Sequence, residues 1–167
     1  MTTEATRKPV MMVGLDEGEE SFYAMEWALD HFFTPYAPSY PFSLLLVHAK
    51  PSPFSAIGYT GPEPATGGVI SMVDQSLKKT ASSVIDRATE ICMYKSVNDV
   101  LSEVSEGDAR QVLCEAVDKY HASILVVGSH GYGKIKRSIL GSVSDYCAHH
   151  AHCSVMVVRK PKTKTKH

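Results

Sequence analysis

Residues 124–144 read ILVVGSHGYGKIKRSILGSVS and join an apolar run to three closely spaced glycines and a later Gly-Ser pair. The apolar residues 124–127 predict a buried strand, and the residues after Gly141 predict the start of a helix. Glycine lets the backbone adopt positive φ and come close to a ligand, and the unpaired N–H groups of a helix start attract anions. This order of strand, glycine loop and helix start predicts a phosphate-binding turn, although a simple strand-to-helix turn would share the pattern.

The glycine spacing differs from the two commonest phosphate loops. The GxxxxGK[ST] pattern is incomplete because Ile135 stands where serine or threonine is required, and glycines 128, 131 and 133 read GxxGxG rather than GxGxxG. Instead, the spacing Gly128-x2-Gly131-x9-Gly141-Ser142 resembles the G-x2-G-x9-G-[ST] signature of the universal stress protein family, in its ATP-binding branch. The resemblance covers residues 9–159 and indicates a plant-type, single-domain member, because VVGSHG and SVMVV are similar to the family's fourth-strand exit and last strand.

The resemblance implies binding of an adenine nucleotide, ATP or AMP, with or without a bound Mg²⁺ or Mn²⁺. In the family, backbone N–H groups of the glycine motif hold the phosphates and ribose. An aspartate after the first strand accepts from a ribose hydroxyl, and the backbone of the second strand reads the adenine edge. With the loop histidine between the glycines added, the predicted site consists of Asp16, Val47, Gly128, His130, Gly131, Gly141, Ser142, Val143 and Ser144.

Several of these assignments have a purely structural alternative. Asp16 would equally serve as a loop or helix-capping residue, Val47 as a core valine and His130 as an exposed loop histidine. Ser142 and Ser144 are expected either to cap the helix or to donate to phosphate oxygens. The sequence leaves these alternatives open.

Two departures from the family pattern stand out. The family often reads Asp-Gly-Ser after the first strand, whereas this chain reads Asp-Glu-Gly at residues 16–18. Glu17 therefore adds a negative charge near the expected ligand, which would weaken phosphate binding. Ser123 replaces an aspartate that often enters the fourth strand, and this change is expected to affect local capping alone.

Apolar runs and helical periodicity alternate along the chain in the order β-α-β-α-β-α-β-α-β. Helices between strands imply parallel pairing with right-handed crossovers, and the most apolar strands, the first and fourth, belong at the centre. The predicted fold is α/β, a single doubly wound open sheet of five parallel strands in the order 3-2-1-4-5 with helices on both faces. The resemblance implies the same architecture, of the adenine nucleotide alpha hydrolase-like type. The strands are predicted at residues 10–15, 43–49, 100–104, 123–127 and 154–158.

The segments between the strands are predicted from periodicity and from turn-forming residues. The first helix is expected to bury its apolar side chains and to leave Glu19 and Glu20 on the surface. Residues 51–68, rich in proline, glycine and serine, predict a long loop before a helix over 70–91. Asp108 is expected to cap the next helix. In the predicted strand order, a ligand would bind between the first and fourth strands, where the chain direction reverses.

Length and composition predict one soluble domain, residues 9–159, with flexible tails at 1–8 and 160–167. The 167 residues carry a net charge of −1, so the balance of charge suggests no nucleic-acid partner. No apolar run approaches the length of an integral membrane segment, no secretory signal precedes the first strand, and the four cysteines form no CxxC pair. These features indicate the cytoplasm, or alternatively the nucleus. The histidines at 149, 150 and 152 lack the spacing of a metal site, so no metal is expected there.

The predicted function is that of an adenine-nucleotide-binding stress-response or regulatory protein that acts as a homodimer. The last strand, Ser154–Val158, is short, apolar and at a sheet edge, so pairing with its copy about a two-fold axis would cover it. Two alternatives stay open: a slow ATP hydrolase, and an interaction or chaperone-like module that no longer binds nucleotide. Because the motif brings no carboxylate at the spacing of a catalytic base, turnover of ATP would be slow at most.

Overall fold

The computed structural model of the chain describes residues 7–58, 67–131 and 140–162. In these residues strands and helices alternate along the chain. The strands are β1 (Val10–Leu15), β2 (Ser43–Lys50), β3 (Val100–Glu106), β4 (Ala122–Gly128) and β5 (Ser154–Val158). The helices are α1 (Glu19–Phe32), α2 (Pro53–Ile57), α3 (Gly67–Tyr94), α4 (Ala109–Tyr120) and α5 (Ser142–His150), and a 3-10 turn at Thr34–Tyr36 follows α1.

The strands form one parallel sheet in the order β3-β2-β1-β4-β5, which confirms the predicted topology. β1 lies at the centre and is buried from its second residue to its last. It pairs with β2 along its whole length and with β4 as far as Val13, opposite Val126. β3 forms one edge and is largely exposed, in agreement with its more polar sequence.

Helices cover both faces of the sheet and create two hydrophobic cores. α1 and α3 pack on one face, where Met11 and Val13 of β1 meet helix residues such as Met25. α4 and α5 pack on the other face, where Met12 meets Leu113. Successive residues of β1 therefore point into different cores, which explains why the strand is apolar at every position.

A short helix lies inside the segment 51–68 that was predicted to be a loop. Residues Pro53–Ile57 form α2, and the side chain of Ser52 caps it by accepting a hydrogen bond from the N–H of Ser55 at 3.2 Å. Proline suits the first position of a helix because no N–H is needed there. The prediction is wrong for these five residues, because proline and serine, which also favour loops, here begin a helix. Residues 59–66 of the same segment lie outside the described residues.

The carboxyl ends of β2 and β3 extend past their predicted limits because the two strands pair as far as Lys50 and Glu106. The side chain of Lys50 is buried, and its Nζ lies 3.0 Å from Asp74 of α3 and 3.1 Å from Glu106. The two carboxylates compensate the buried positive charge and fix α3 against the sheet. As a consequence, Ala49 rather than Val47 stands near the carboxyl end of β2.

The topology opens a crevice at the carboxyl ends of β1 and β4. From β1 the sheet continues to β2 and β3, whereas from β4 it continues in the opposite direction to β5. The connections leave the two central strands toward opposite sides, and ligands of open α/β sheets bind at such a point. Asp16 follows β1 and Gly128 ends β4, so the fold brings these two predicted site residues to one place.

Candidate functional site

A cleft occupies this crevice, bordered by the ends of β1, β2 and β4 and by the first turns of α4 and α5. Its volume is about 560 Å³ when the open mouth is included. Every predicted site residue except Val47 borders the cleft. Glycine 133 of the motif lies outside the described residues.

The residue of β2 that borders the cleft is Ala49. Val47 is fully buried in the core beneath α4, and in the sheet it stands between Gly14 of β1 and Glu103 of β3. Positions 47 and 49 share a face of the strand, and the one nearer the carboxyl end reaches the ligand crevice. The sequence contained the information needed to choose Ala49, because side chains alternate along β2 and Ala49 is the last residue on the same face as Val47.

Gly128 is required by the close approach of α1 to the end of β4. A Cβ atom at this position would lie 2.9 Å from the backbone carbon and oxygen of Glu20 and 3.1 Å from the backbone nitrogen of Ser21. The φ of Gly128 lies outside the left-handed region. Close packing, rather than the positive φ expected from the sequence, explains this glycine.

Gly141 and Ser144 join the start of α5 to the loop that leaves β4. Gly141 is extended (φ −74°, ψ 166°), its N–H donates to the carbonyl of Ser129 at 2.6 Å, and a Cβ would lie 3.0 Å from that oxygen. The hydroxyl of Ser144 is buried and shares its proton between the carbonyls of Ser129 at 3.0 Å and Gly141 at 3.1 Å. The capping role open to Ser144 is not observed, because the N-cap of α5 is Gly141 and no side chain caps the helix; the hydroxyl instead ties the helix start to Ser129. Ser142 is exposed at the first position of α5.

The first turn of α5 supplies backbone donors at the cleft. Residues 142–144 border the cleft, and the first N–H groups of any helix lack an acceptor within the helix. The N–H of Asp145 already bonds to the carbonyl of Gly141 at 3.0 Å, so the helix leaves the N–H groups of residues 142–144 without an intrahelical acceptor. The positive end of the helix dipole adds to their attraction for an anion.

Asp16 stabilises the turn that leads into α1 and borders the cleft. Its Oδ1 accepts from the N–H of Gly18 at 2.7 Å, and its own N–H donates to Oγ of Ser21 at 3.1 Å. The Ser21 hydroxyl lies 3.2 Å from the carbonyl of Asp16 and 3.0 Å from that of Gly18. These bonds fix the turn, so the loop role that the sequence left open for Asp16 is observed, whereas α1 has Gly18 at its N-cap and no side-chain cap. The carboxylate is held in place beside the cleft.

Glu20 of α1 holds the loop that follows β4. Its Oε2 accepts from the N–H of His130 at 2.7 Å and from the hydroxyl of Ser129 at 3.3 Å, and it lies 3.6 Å from Nδ1 of His130. The side chains of Glu20 and His130 are only 12% and 11% exposed. Glu20 is therefore not the surface residue that local pattern predicted, and the alternative of an exposed loop histidine does not hold for His130. The expected surface position of Glu20 is wrong because this contact joins residues 110 positions apart.

The cleft continues outward past β2 toward α3. Its outer part is additionally bordered by Glu17, His48, Pro51, Leu77, Thr80 and Arg110. The Asp108 carboxylate caps α4 by accepting from the N–H of Arg110 at 2.9 Å, as predicted, and it also accepts from the guanidinium at 3.0 and 3.1 Å. The hydrogen bond from the guanidinium lowers the pKa of Asp108 below its usual value. The pair is therefore ionised at neutral pH.

The histidines and cysteines of the described residues do not assemble into a metal centre. Within this described part of the chain, no three His, Cys, Asp or Glu side chains converge in a way that would hold a metal ion. Nδ1 of His149 and Nδ1 of His150 instead approach backbone carbonyls of their own helix. The four cysteines are free thiols, and burial raises the pKa of Cys147 to about 12. In the same residues no helix combines the length and the apolar character needed to cross a bilayer.

Comparison with known proteins identifies the family. A model of the universal stress protein family matches residues 9–159. The chain belongs to this family. Universal stress protein PHOS32 from Arabidopsis thaliana is 30% identical over an alignment of 170 residues, which covers 96% of this chain and 67% of that relative. The predicted family is thus confirmed.

Solved structures of universal stress proteins share the fold. UspA from Lactobacillus plantarum has a TM-score of 0.73 at 16% identity, with 92% of this chain and 99% of that chain covered. A universal stress protein family protein from Arabidopsis thaliana, solved with AMP bound, has a TM-score of 0.66 at 20% identity, with 95% of each chain covered. At 16% and 20% identity, the similarity to these two structures shows that the chain shares their fold.

Proposed function

We propose that this universal stress protein binds an adenine nucleotide, AMP or ATP, in the cleft and acts as a stress-response or regulatory module. The observation that carries the proposal is the convergence of the α5 helix start with the ends of β1 and β4 on one cavity. The helix start offers backbone donors for phosphate, and Asp16 offers an acceptor for a ribose hydroxyl. An AMP-bound relative of the same fold supports the choice of ligand.

The ligand would lie across the carboxyl end of the sheet, with its phosphate at α5 and its nucleoside toward β2. The outer cleft supports this direction because Ala49, Pro51 and Leu77 offer apolar surface for a base. A divalent cation, Mg²⁺ or Mn²⁺, would accompany ATP more readily than AMP, because it neutralises the charge of the added phosphates.

The proposal extends to a homodimer in the cytoplasm, formed by pairing β5 with its copy. β5 is an edge strand whose apolar side chains are only partly buried, and pairing would cover its unpaired backbone groups. The free thiols fit a reducing compartment.

Ser142→Pro tests the phosphate contact directly. Proline removes one N–H donor from the helix start, yet it suits the first position of a helix, and the extended backbone of Gly141 suits the residue before a proline. Titration calorimetry should show AMP affinity reduced about tenfold or more, as expected for loss of a hydrogen bond to a charged group.

Two controls separate the backbone donor from other causes. Ser142→Ala removes the hydroxyl but keeps the N–H, so it should retain most of the affinity for AMP. Adenosine, which has no phosphate, should bind the wild type and Ser142→Pro equally. A wild-type protein that binds neither AMP nor ATP at millimolar concentration would refute the proposed function.

A further inference from the structure

His48 is a buried histidine at the carboxyl end of β2 whose two ring nitrogens have different roles. Its side chain is 5% exposed, and its Nδ1 lies 2.9 Å from the carbonyl oxygen of Leu15 on the neighbouring strand. Because a carbonyl oxygen only accepts, Nδ1 must carry the proton of this hydrogen bond. In the neutral ring, Nε2 is then a hydrogen-bond acceptor with its lone pair available.

The Nε2 of His48 has no hydrogen-bond partner among the described residues. Within the same residues, Glu103 Oε2 is the side-chain nitrogen or oxygen that is completely buried and has no partner. Nε2 of His48, which also has no partner among them, is therefore not completely buried and is accessible from outside the core. Those surroundings are the outer cleft, which His48 borders with Leu77 and Thr80. A nearly buried acceptor without a partner favours a ligand that brings a donor.

The position of His48 points to the nucleoside rather than to the phosphate. A phosphate at neutral pH only accepts hydrogen bonds, whereas a nucleoside donates from the exocyclic amine of adenine and from the ribose hydroxyls. His48 lies on β2, two strands from the loop after β4, which is roughly 10 Å at the usual strand spacing. This separation is comparable to the length of a nucleoside monophosphate.

We infer that Nε2 of His48 accepts a hydrogen bond from an N–H or O–H group of the bound nucleoside, which makes His48 a specificity-determining residue of the cleft. The inference rests on the proposed nucleotide function and adds a residue that reads the nucleoside. Its fixed Nδ1 bond to Leu15 orients the ring before the ligand arrives, so little conformational freedom is lost on binding.

Binding of four ligands to the wild-type protein identifies the donor. AMP carries every donor, purine riboside 5′-monophosphate lacks the exocyclic amine and adds no other donor, and the 2′-deoxy and 3′-deoxy forms of AMP each lack one ribose hydroxyl. One of the three analogues should bind about tenfold more weakly than AMP, because it leaves Nε2 without its partner. Equal affinity for all four ligands would overturn the inference while leaving the proposed function standing.

His48→Asn tests the same contact from the side of the protein. The amide nitrogen of asparagine replaces Nδ1 as the donor to Leu15, but the shorter side chain has no atom in the place of Nε2. AMP affinity should fall about tenfold, and the difference between AMP and the discriminated analogue should disappear, as in a double-mutant cycle. His149→Asn, at an exposed histidine that does not border the cleft, is the matched control and should bind as the wild type does.

A spectroscopic measurement decides the matter if His48→Asn does not fold. In the wild-type protein, the ¹⁵N resonance of His48 Nε2 should shift on addition of AMP, whereas that of Nδ1 should stay in place. An unchanged Nε2 resonance at saturating AMP would overturn the inference. If none of the four ligands binds, the proposed function is refuted, and the inference with it.

Discussion

The carboxylate of Glu20 has an unusual place for an acidic side chain beside an expected phosphate site. It accepts the His130 N–H at 2.7 Å, and its side chain is 12% exposed, so solvent screens its charge only in part. Its hydrogen bonds fix Ser129 and His130 beside the cleft, and its negative charge repels a phosphate bound nearby. Such a residue would favour ligands with few phosphate charges.

Glu20→Gln should therefore raise the affinity for phosphate-bearing ligands. Glutamine keeps an oxygen that accepts from His130 but removes the charge. The gain should be about four- to tenfold per phosphate charge, as Coulomb's law gives for charges about 6–10 Å apart at an effective dielectric constant of about 40. Calorimetry with adenosine, AMP and ATP measures the trend, which should be absent for adenosine and largest for ATP.

Glu19→Gln is the matched control for the change in net charge. Glu19 precedes Glu20 in α1, but its side chain is 66% exposed and pairs with Arg87 of α3. Nucleotide affinity should change little in this variant, since an exposed charge is well screened. The same gain in both variants, or no gain in Glu20→Gln, would show that the buried carboxylate does not select against phosphate.

The residues of the site differ in how far sequence could predict them. The spacing from Gly128 to Ser142 predicted which segments meet, and the structure brings these residues to one cleft. The same spacing could not reveal Glu20 or His48, because their roles depend on contacts across 110 and 33 positions. Local pattern reports which residues belong to one turn, whereas these two contacts arise only when separate elements pack together.

At the scale of elements, α1 packs closely against the carboxyl end of β4. Gly128→Ala should lower the free energy of unfolding by about 1–3 kcal/mol, because the new Cβ meets backbone atoms of α1 at 2.9 Å and the helix must move. Urea denaturation measures this change. Gly68→Ala is the control, since a Cβ there has nothing within 4 Å; it should be neutral or stabilising by up to about 1 kcal/mol. Equal effects of the two substitutions would contradict the packing argument.

The predicted elements were most reliable where burial fixes the pattern. β1 and β4 are buried on both faces, and their continuous apolar runs have one simple interpretation. β2 ends one residue later than predicted, because Lys50 pairs with β3 opposite Glu106 and two carboxylates hold its charge at the sheet. α2 was missed because its capping serine and leading proline also suit a turn.

At the scale of the whole molecule, the sheet has two edges that differ in chemistry. β3, with the sequence VLSEVSE, mixes polar and apolar residues and leaves Leu101 and Val104 exposed at 61% and 43%. β5 consists almost entirely of apolar residues, and its side chains extend into both cores. The proposed dimer uses β5 because a strand with this composition, left at an open edge, would pair with other chains indiscriminately.

Val157→Lys should shift the protein from dimer to monomer. Val157 is partly buried on β5, and a lysine there brings a positive charge close to its copy across a two-fold axis while its long stem still covers the core. Sedimentation velocity over a range of concentrations measures the state of assembly, and the thermal midpoint checks that the variant is folded. Val104→Lys makes the same substitution on the opposite edge strand, where the side chain is already 43% exposed, and it should leave the dimer intact. A wild-type protein that sediments as a monomer would refute the dimer. If Val104→Lys dissociates the dimer and Val157→Lys does not, the interface is formed by β3 rather than by β5.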